Sequence, residues 1–560
     1  MNNNKIINNF FYSVNKSEPN KKQTNWTLKI FWFVFLITIV IISFVFVGFS
    51  FSPNGFSVFK ENFKKIFLFS NHLSEFPSYS LWTLSFQSLY ISIKSILIGT
   101  SLGFITALIT ATFANTNLFK HKYLSHLITL FIVILRSLPT IFLIYFFSSS
   151  FPKELALLLM IFWFSWIWLH KYLIDAYNNI DYYFYNSMLN QGVNKFVCIV
   201  KIIFPQLKNK FINYYLFSFE SNIRWTTFIS SLGFSGIGEL IFLAANKNEF
   251  QAIGIPIFVC MLFMVVLEIS ILLINKLLLA KSYSKNSKMI NIKKYFSYFL
   301  LFILIFLNLY FLFSTNFGGN NTINVELLKS LFTPDFSVFK KYDSFVFDVF
   351  LLIFQAITSI TIVICISFFL MFLSSFKLFK YYSIFGIIIS SILRNFPTIA
   401  LFFVINPIFN SPSSTITIIL ATSSSGIIVK NISESINKID DYLINHYSMQ
   451  GFNKFNIYTK LILPTIKNDL FLQMSFSFEN KFRDIISYSG YGVSVIGSYI
   501  DKYQQRNDYN AMNAFILLTF FISLIVVIIN FIQSQVLKKG FINYIYSFNW
   551  NNIKSLVFAN

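Results

Sequence analysis

Glu220 and Arg224 stand four residues apart in a largely apolar stretch, and Glu479 and Arg483 repeat them 259 residues later. Residues four apart share one helix face, so each pair can form an ion pair there. Ionisable groups inside an apolar span are expensive to bury, unpaired ones most of all. Two readings are open. Each pair can cancel its own burial penalty and help pack two parts of the chain. Alternatively, the arginines can meet an anionic solute, because a guanidinium offers parallel donors to phosphate-like oxygens. Arg136 and Arg394 add two more cations, each three residues before a proline, Pro139 and Pro397. A proline inside a span loosens the backbone ladder and permits a kink. These arginines would either make a pathway electropositive or pack against nearby acidic side chains.

No bond-making chemistry is indicated. The five histidines lack ligand spacing and the three cysteines, Cys198, Cys260 and Cys365, form no short-spaced pair, so neither a metal site nor a disulfide framework is expected. There is no Gly-x4-Gly-Lys-Ser/Thr sequence, so the chain carries no P-loop and no nucleotide cofactor of its own. It is read as a non-enzyme. Glycines follow the charged pairs: Gly233, Gly236 and Gly238 in the first copy, Gly490, Gly492 and Gly497 in the second. They read as turns at a helix end, where free backbone N–H groups could still touch an anion.

A second repeated feature lies just upstream. Gly192 and Pro205 bracket twelve residues, and Gly451 and Pro464 bracket twelve more at the same offset of 259. Apolar residues stand three and one before each proline: Ile202 and Phe204, then Leu461 and Leu463. The spacing predicts a helix, a turn near the glycine, and a second helix ended by the proline. The repeat extends further: Asp175 and Asp181 match Glu434 and Asp440, while the Arg-x-x-Pro motifs are offset by 258 and Phe86-Gln87 matches Phe354-Gln355 at 268. Phe56–Lys60 recurs as Phe336–Lys340. Drifting offsets place insertions in loops, where added length is tolerated.

What positions these residues follows from composition. The chain has 560 residues, 55% hydrophobic and 12% charged, and several charge-free runs of bilayer-crossing length. It reads as an all-α polytopic membrane protein with about 12 transmembrane helices, six per half. The expected spans are 28–50, 84–113, 125–149, 153–174, 211–232 and 251–277, then 296–315, 346–374, 382–409, 412–431, 468–488 and 511–537. Ile30–Val47 reads as a retained first helix rather than a cleaved signal. The fifth span of each half is the most polar. The expected domains are a tail, 1–27, a first repeat, 28–280, with its polar segment at 182–208, and a basic linker, 281–295. A second repeat, 296–540, follows with its polar segment at 441–467, then a tail, 541–560.

The net charge of +22 is not a nucleic-acid signature. With the N-terminus inside, 28 of the 44 Lys and Arg fall in cytoplasmic segments, the bias that orients helices during insertion. An even span count then keeps both termini cytoplasmic in the plasma membrane, and the two halves run parallel. The richness in Phe, Ile, Asn and Lys resembles AT-rich coding.

On these residues the chain resembles the permeases of ABC importers. Their cytoplasmic loop carries Glu-Ala-Ala, a glycine, and an apolar-x-Leu-Pro ending at this spacing, and it docks on the ATPase. Gly192, Ile202, Phe204 and Pro205, with Gly451, Leu461, Leu463 and Pro464, match it; Asn186-Ser187-Met188 and Asn445-His446-Tyr447 replace the Glu-Ala-Ala triplet. Phe219-Glu220-Ser221-Asn222-Ile223-Arg224, with the glycines beyond, resembles phosphonate-type permeases in particular. The resemblance implies two fused halves of the type I importer fold and ATP-driven uptake of a phosphonate, phosphate-like or phosphorylated small solute. It implies two cytoplasmic ABC ATPase subunits holding ATP and Mg, an extracytoplasmic lipoprotein that binds the solute, and a surrounding lipid bilayer. The alternatives are a permease for another small solute, such as methionine, thiamine or its phosphate, and a secondary transporter working without an ATPase.

Overall fold

The computed structural model describes residues 12–15, 18–24, 26–118, 122–274, 287–315 and 322–539. A short antiparallel strand pair, Tyr12–Asn15 with Glu18–Thr24, precedes the first helix, and every other named element among the described residues is helical. Among the described residues eight helices are long and apolar enough to cross a bilayer, or ten if each of two bent pairs is one crossing. Two further helices, Phe204–Ser230 and Leu463–Ser487, have the length but carry charges. They are the fifth spans expected from the sequence, and with them the crossings reach six per half. The basic linker is corrected in part: helix Ser287–Ser314 starts inside it. Residues 275–286 and the tail 541–560 lie outside the described residues.

In the first half, helices Leu81–Ala114 and Lys153–Asn178 lie side by side and run the same way. Gly99 meets Leu158 and Ile161, and Gly103 meets Phe162 and Ser165. Thr110 then reaches His170, and Asn115 reaches Asn178. Without a side chain, the glycines let the two backbones touch, the usual route to close helix packing in lipid. The second half repeats this with Phe345–Ser374 and Pro412–Asn437: Gln355 and Ser413 both donate to the Val493 carbonyl at one end, and Lys377 meets Asp441 at the other. Two parallel neighbours require a crossing between them. Here it is a bent pair, Lys122–Ser137 with Thr140–Ser150 in the first half and Ser383–Asn395 with Thr398–Ile408 in the second, angled at 81° and 87°.

The halves exchange their first helices. Phe46, near the end of Trp26–Val47, packs on Phe347 and Phe354 of the second half. Phe311, near the end of Ser287–Ser314, packs on Tyr90 of the first, and Lys94 donates to the Ser314 carbonyl at 3.2 Å. Lys94 is buried and is neutralised there by Glu154. The loops cross as well: Ser52 N–H donates to the Ile408 carbonyl, and Asn324 N–H donates to Ser150. The largest core accordingly draws on both halves, from Ile141 and Phe228 to Phe482 and Phe515. All these exchanges sit at the bundle end opposite the Gly-to-Pro segments, so both halves point the same way.

Candidate translocation cavity and coupling segments

The Arg-x-x-Pro motifs fall at the two sharp bends. Pro139 and Pro397 cap the shorter helix of each pair, and the residue before Pro397, Phe396, is extended (ψ 131°). Proline disfavours a helical residue before it and removes a donor. The expected kink is therefore a full break, far sharper than proline alone produces, and it needs outside partners. The carbonyls freed at the first break find them in the other half: Arg483 donates to Arg136 O at 3.0 Å and Ser523 to Ser137 O at 2.7 Å.

The breaks deliver the arginines across the interface between halves. Glu220, 3% exposed, receives Arg224 of its own helix at 3.0 Å, and from the second half Lys430 at 2.7 Å and Arg394 at 3.4 Å. Arg394 also meets Glu268 at 2.5 Å, and Ser391 and Asn395 donate to the same carboxylate. Glu479 mirrors this, with Arg483 at 2.9 Å and, from the first half, Arg136 at 3.3 Å. Asn530 donates to it at 3.4 Å and Lys171 lies within its electrostatic reach, while Asp175 lies within that of Lys171 and Arg136. Each fifth-helix glutamate thus gathers its own arginine and the bend arginine of the opposite half. Each cluster also holds three cations against two carboxylates.

Between the clusters lies a cavity of about 140 Å³. Its walls mix aromatic rings, Trp168, Trp225, Phe396 and Phe476 among them, with polar side chains such as Asn395, Asn431 and Gln473, and Arg224, Arg394, Lys481 and Asp484 also face it. Phe228 stacks on Tyr488 with ring centroids 3.9 Å apart, and Tyr491 donates to Ser231 at 2.6 Å. These contacts join the halves at the glycine turns. Gly233, Gly236 and Gly492 have φ of +100°, +149° and +71°, values that favour glycine. Gly238 abuts the backbone, where a Cβ would sit 1.8 Å from Thr227 O. Gly490 does not adopt a left-handed φ and lies in a short 3₁₀ turn, while Gly497 opens the next helix. Two of the first turn's backbone donors are taken rather than open to an anion: Gly238 N–H donates to Ser230 and Ile237 N–H to Ser92.

The Gly-to-Pro segments form two short helices at the far bundle end, Tyr183–Asn190 then Lys195–Cys198, and Asp441–Met449 then Lys454–Ile457. Gly192 and Gly451 turn the chain between them with φ of +81° and +82°. Asn194 and Asn453 cap the second helix by accepting from Phe196 N–H and Asn456 N–H. The prolines do not end it, contrary to the expectation from sequence. Residues Ile199–Ile203 and Tyr458–Ile462 widen into one π turn, and α-helix resumes at Phe204 and Leu463. The wider turn re-routes the hydrogen bonding around a residue that lacks N–H and makes room for its ring. Lys195 to Glu220 is therefore one continuous helix, about 37 Å at 1.5 Å per residue. Of the matched apolar residues, Ile202, Phe204, Leu461 and Leu463 face their own half, in part buried. The exposed apolar face is made instead by Tyr183, Phe184 and Phe196, and by Tyr442, Leu443 and Phe455. Tyr458 anchors the second segment by donating to Phe368 O at 2.9 Å.

Sequence reasoning missed five charged residues of the site, Lys171, Lys430, Glu268, Lys481 and Asp484. Lys171 and Lys430 keep the 259 offset of the glutamates they approach, so the repeat pointed to them. Glu268 is a lone carboxylate in an apolar span, a functional signal by itself.

Two parallel helical halves, exchanged first helices and paired surface segments define a permease architecture, and the chain belongs to the binding-protein-dependent transport system inner membrane component family. That family's model matches twice, at residues 99–282 and 336–539, once in each half. The chain is similar to the ABC transport system permease protein p69 of Mycoplasma genitalium, 28% identical over 560 residues that cover 96% of this chain and 99% of that one. It is also similar to the p69 permease protein of Mycoplasma pneumoniae, 27% identical over 480 residues, 82% and 86% of the two chains. No solved structure matches the chain. It is a permease subunit of an ABC transport system, a multi-pass membrane protein rather than a catalytic chain.

Proposed function

We propose that this chain moves a small anionic solute, of the phosphonate, phosphate or phosphorylated class, into the cell by ATP-driven alternating access. The Gly-to-Pro segments face the cytoplasm in this reading, with both termini, and each docks on one of two ATPase subunits. The observation that carries it is the unbroken helix from each segment to a cross-half glutamate beside the cavity. When ATP draws the two ATPase subunits together, each segment would move with its fifth helix as a rigid lever. The clusters would shift, and the Phe228–Tyr488 and Tyr491–Ser231 contacts would open toward the solute-binding protein outside. The third cation in each cluster leaves the interface electropositive, which suits an anion. Arg136, Arg394, Arg224 and Arg483 supply that field while held by their glutamates.

Reconstitution tests the direction and the power source. Proteoliposomes holding the chain, its ATPase and its binding protein are expected to accumulate a radiolabelled phosphonate or phosphate ester only with ATP on the segment side. Equal uptake driven by an ion gradient, without the ATPase, would defeat the reading.

A further inference from the structure

Within the cavity one cation stands apart from the rest. The arginines that face it are held within 3.4 Å of Glu220 or Glu268. Lys171 lies over the Phe476 ring and Lys430 is 2.7 Å from Glu220. Lys481 has Asp484 at 3.7 Å, the longest of the ion pairs that line or border the cavity. Both residues face the cavity and both are on the fifth helix of the second half. The first half puts Asn222 at the position of Lys481, and its amide donates to Thr100 and Ser165 at 2.8 Å each. That side is thereby closed as a neutral anchor. At the position of Asp484 it has Trp225, which forms cavity wall. Among the described residues, the duplication therefore departs from symmetry at the one place where a charged group both lines the cavity and is loosely held.

We propose that Lys481 is the residue that binds the anionic group of the transported solute, with Asp484 as its displaceable partner in the empty state. This rests on the anionic-solute reading above and names the residue behind it. A buried ammonium needs an opposite charge. Asp484 supplies it at long range while the cavity is empty. An incoming phosphate or phosphonate oxygen can approach to hydrogen-bond distance and take that place, a stronger contact than the 3.7 Å pair. The lysine is also better suited than the arginines to bind and release. It is a single flexible charge with one partner, whereas Arg394 is fixed by two carboxylates.

The test uses the full chain in lipid nanodiscs titrated with inorganic phosphate and with methylphosphonate. Trp168 and Trp225 in the cavity wall report binding by their fluorescence. Wild type is expected to give a saturable change, and K481M to weaken binding at least tenfold. D484N, which removes the competing carboxylate, is expected to tighten it about tenfold, a difference of roughly 1.4 kcal/mol. K481M/D484N removes both charges, so it has no unpaired buried carboxylate. It is expected to fold and to bind as weakly as K481M, which keeps the test open if K481M itself does not fold. If wild type responds and the lysine variants bind equally well, or D484N binds more weakly, the assignment of Lys481 and Asp484 is overturned while the anionic reading stands. If wild type responds to neither anion, the anionic reading falls and this assignment with it.

Discussion

Replacing Glu220 by alanine is expected to destabilise the protein by about 3–5 kcal/mol, the usual result of leaving buried charges without their partner. The effect should be large because three cations converge on this carboxylate, two of them from the other half. Lys430 is about a third exposed and can turn toward solvent, so most of the loss should come through Arg224 and Arg394. Arg394 keeps Glu268, which limits its share. Glu479→Ala should behave alike through Arg483 and Arg136. Unfolding in mild detergent measures the stability. A double-mutant cycle of Glu220→Ala with Arg394→Ala should give a coupling of about 0.5–3 kcal/mol, as expected for residues in direct contact. A coupling near zero would mean that the crossed cluster does not hold the halves together.

Phe196→Asp combined with Phe455→Asp is expected to leave the chain inserted and folded but to weaken ATPase association at least tenfold. Phe196 is 73% exposed, and Phe455, 48% exposed, keeps edge contacts with Phe372 and Phe368, so the larger cost to the fold comes from Phe455 and stays small beside that of a buried ring. They flank the capped turns of the two segments at the same offset of 259. In place of the usual glutamate each segment presents an apolar face, so charge placed on it should act directly on docking. Co-purification and stimulated ATP hydrolysis read the effect. Gly192→Asp and Gly451→Asp should act in the same direction by straining turns with φ of +81° and +82°. Normal ATPase binding by the Phe196/Phe455 pair would make these segments ordinary surface loops.

Much of this was legible in the sequence because it depends on type and spacing. Glu220 with Arg224 and Glu479 with Arg483 pair on one helix face as four-residue spacing requires. The duplication set the orientation of the halves, and Gly192 and Gly451 turn where the segments needed a turn. What spacing cannot give is which neighbour a residue meets. Trp26–Val47 is apolar all round, so hydropathy says only that it sits in lipid, and its exchange onto the second half depends on Phe46 against Phe347 and Phe354. For the bend arginines the sequence leaves two readings open, an electropositive pathway or packing against acidic side chains near the polar segments. Which carboxylates they meet is not readable from spacing: each reaches a glutamate of the opposite half, because the break at Pro139 or Pro397 turns the chain by more than 80°. Proline itself was read too simply at Pro205 and Pro464, where one π turn lets the helix continue.

Distance between the two surface segments tests the central claim most directly. Spin labels on Asn190→Cys and Met449→Cys, both exposed, with the exposed Cys365 replaced by serine, report it by double electron–electron resonance in nanodiscs with the ATPase bound. Adding ATP under non-hydrolysing conditions is expected to shorten the distance, because the short helices that carry the labels turn at Gly192 and Gly451 into the continuous fifth helices and follow the closing ATPase pair. A distribution identical with and without ATP, while the ATPase remains bound, would contradict the coupling of these segments to the cavity between the halves.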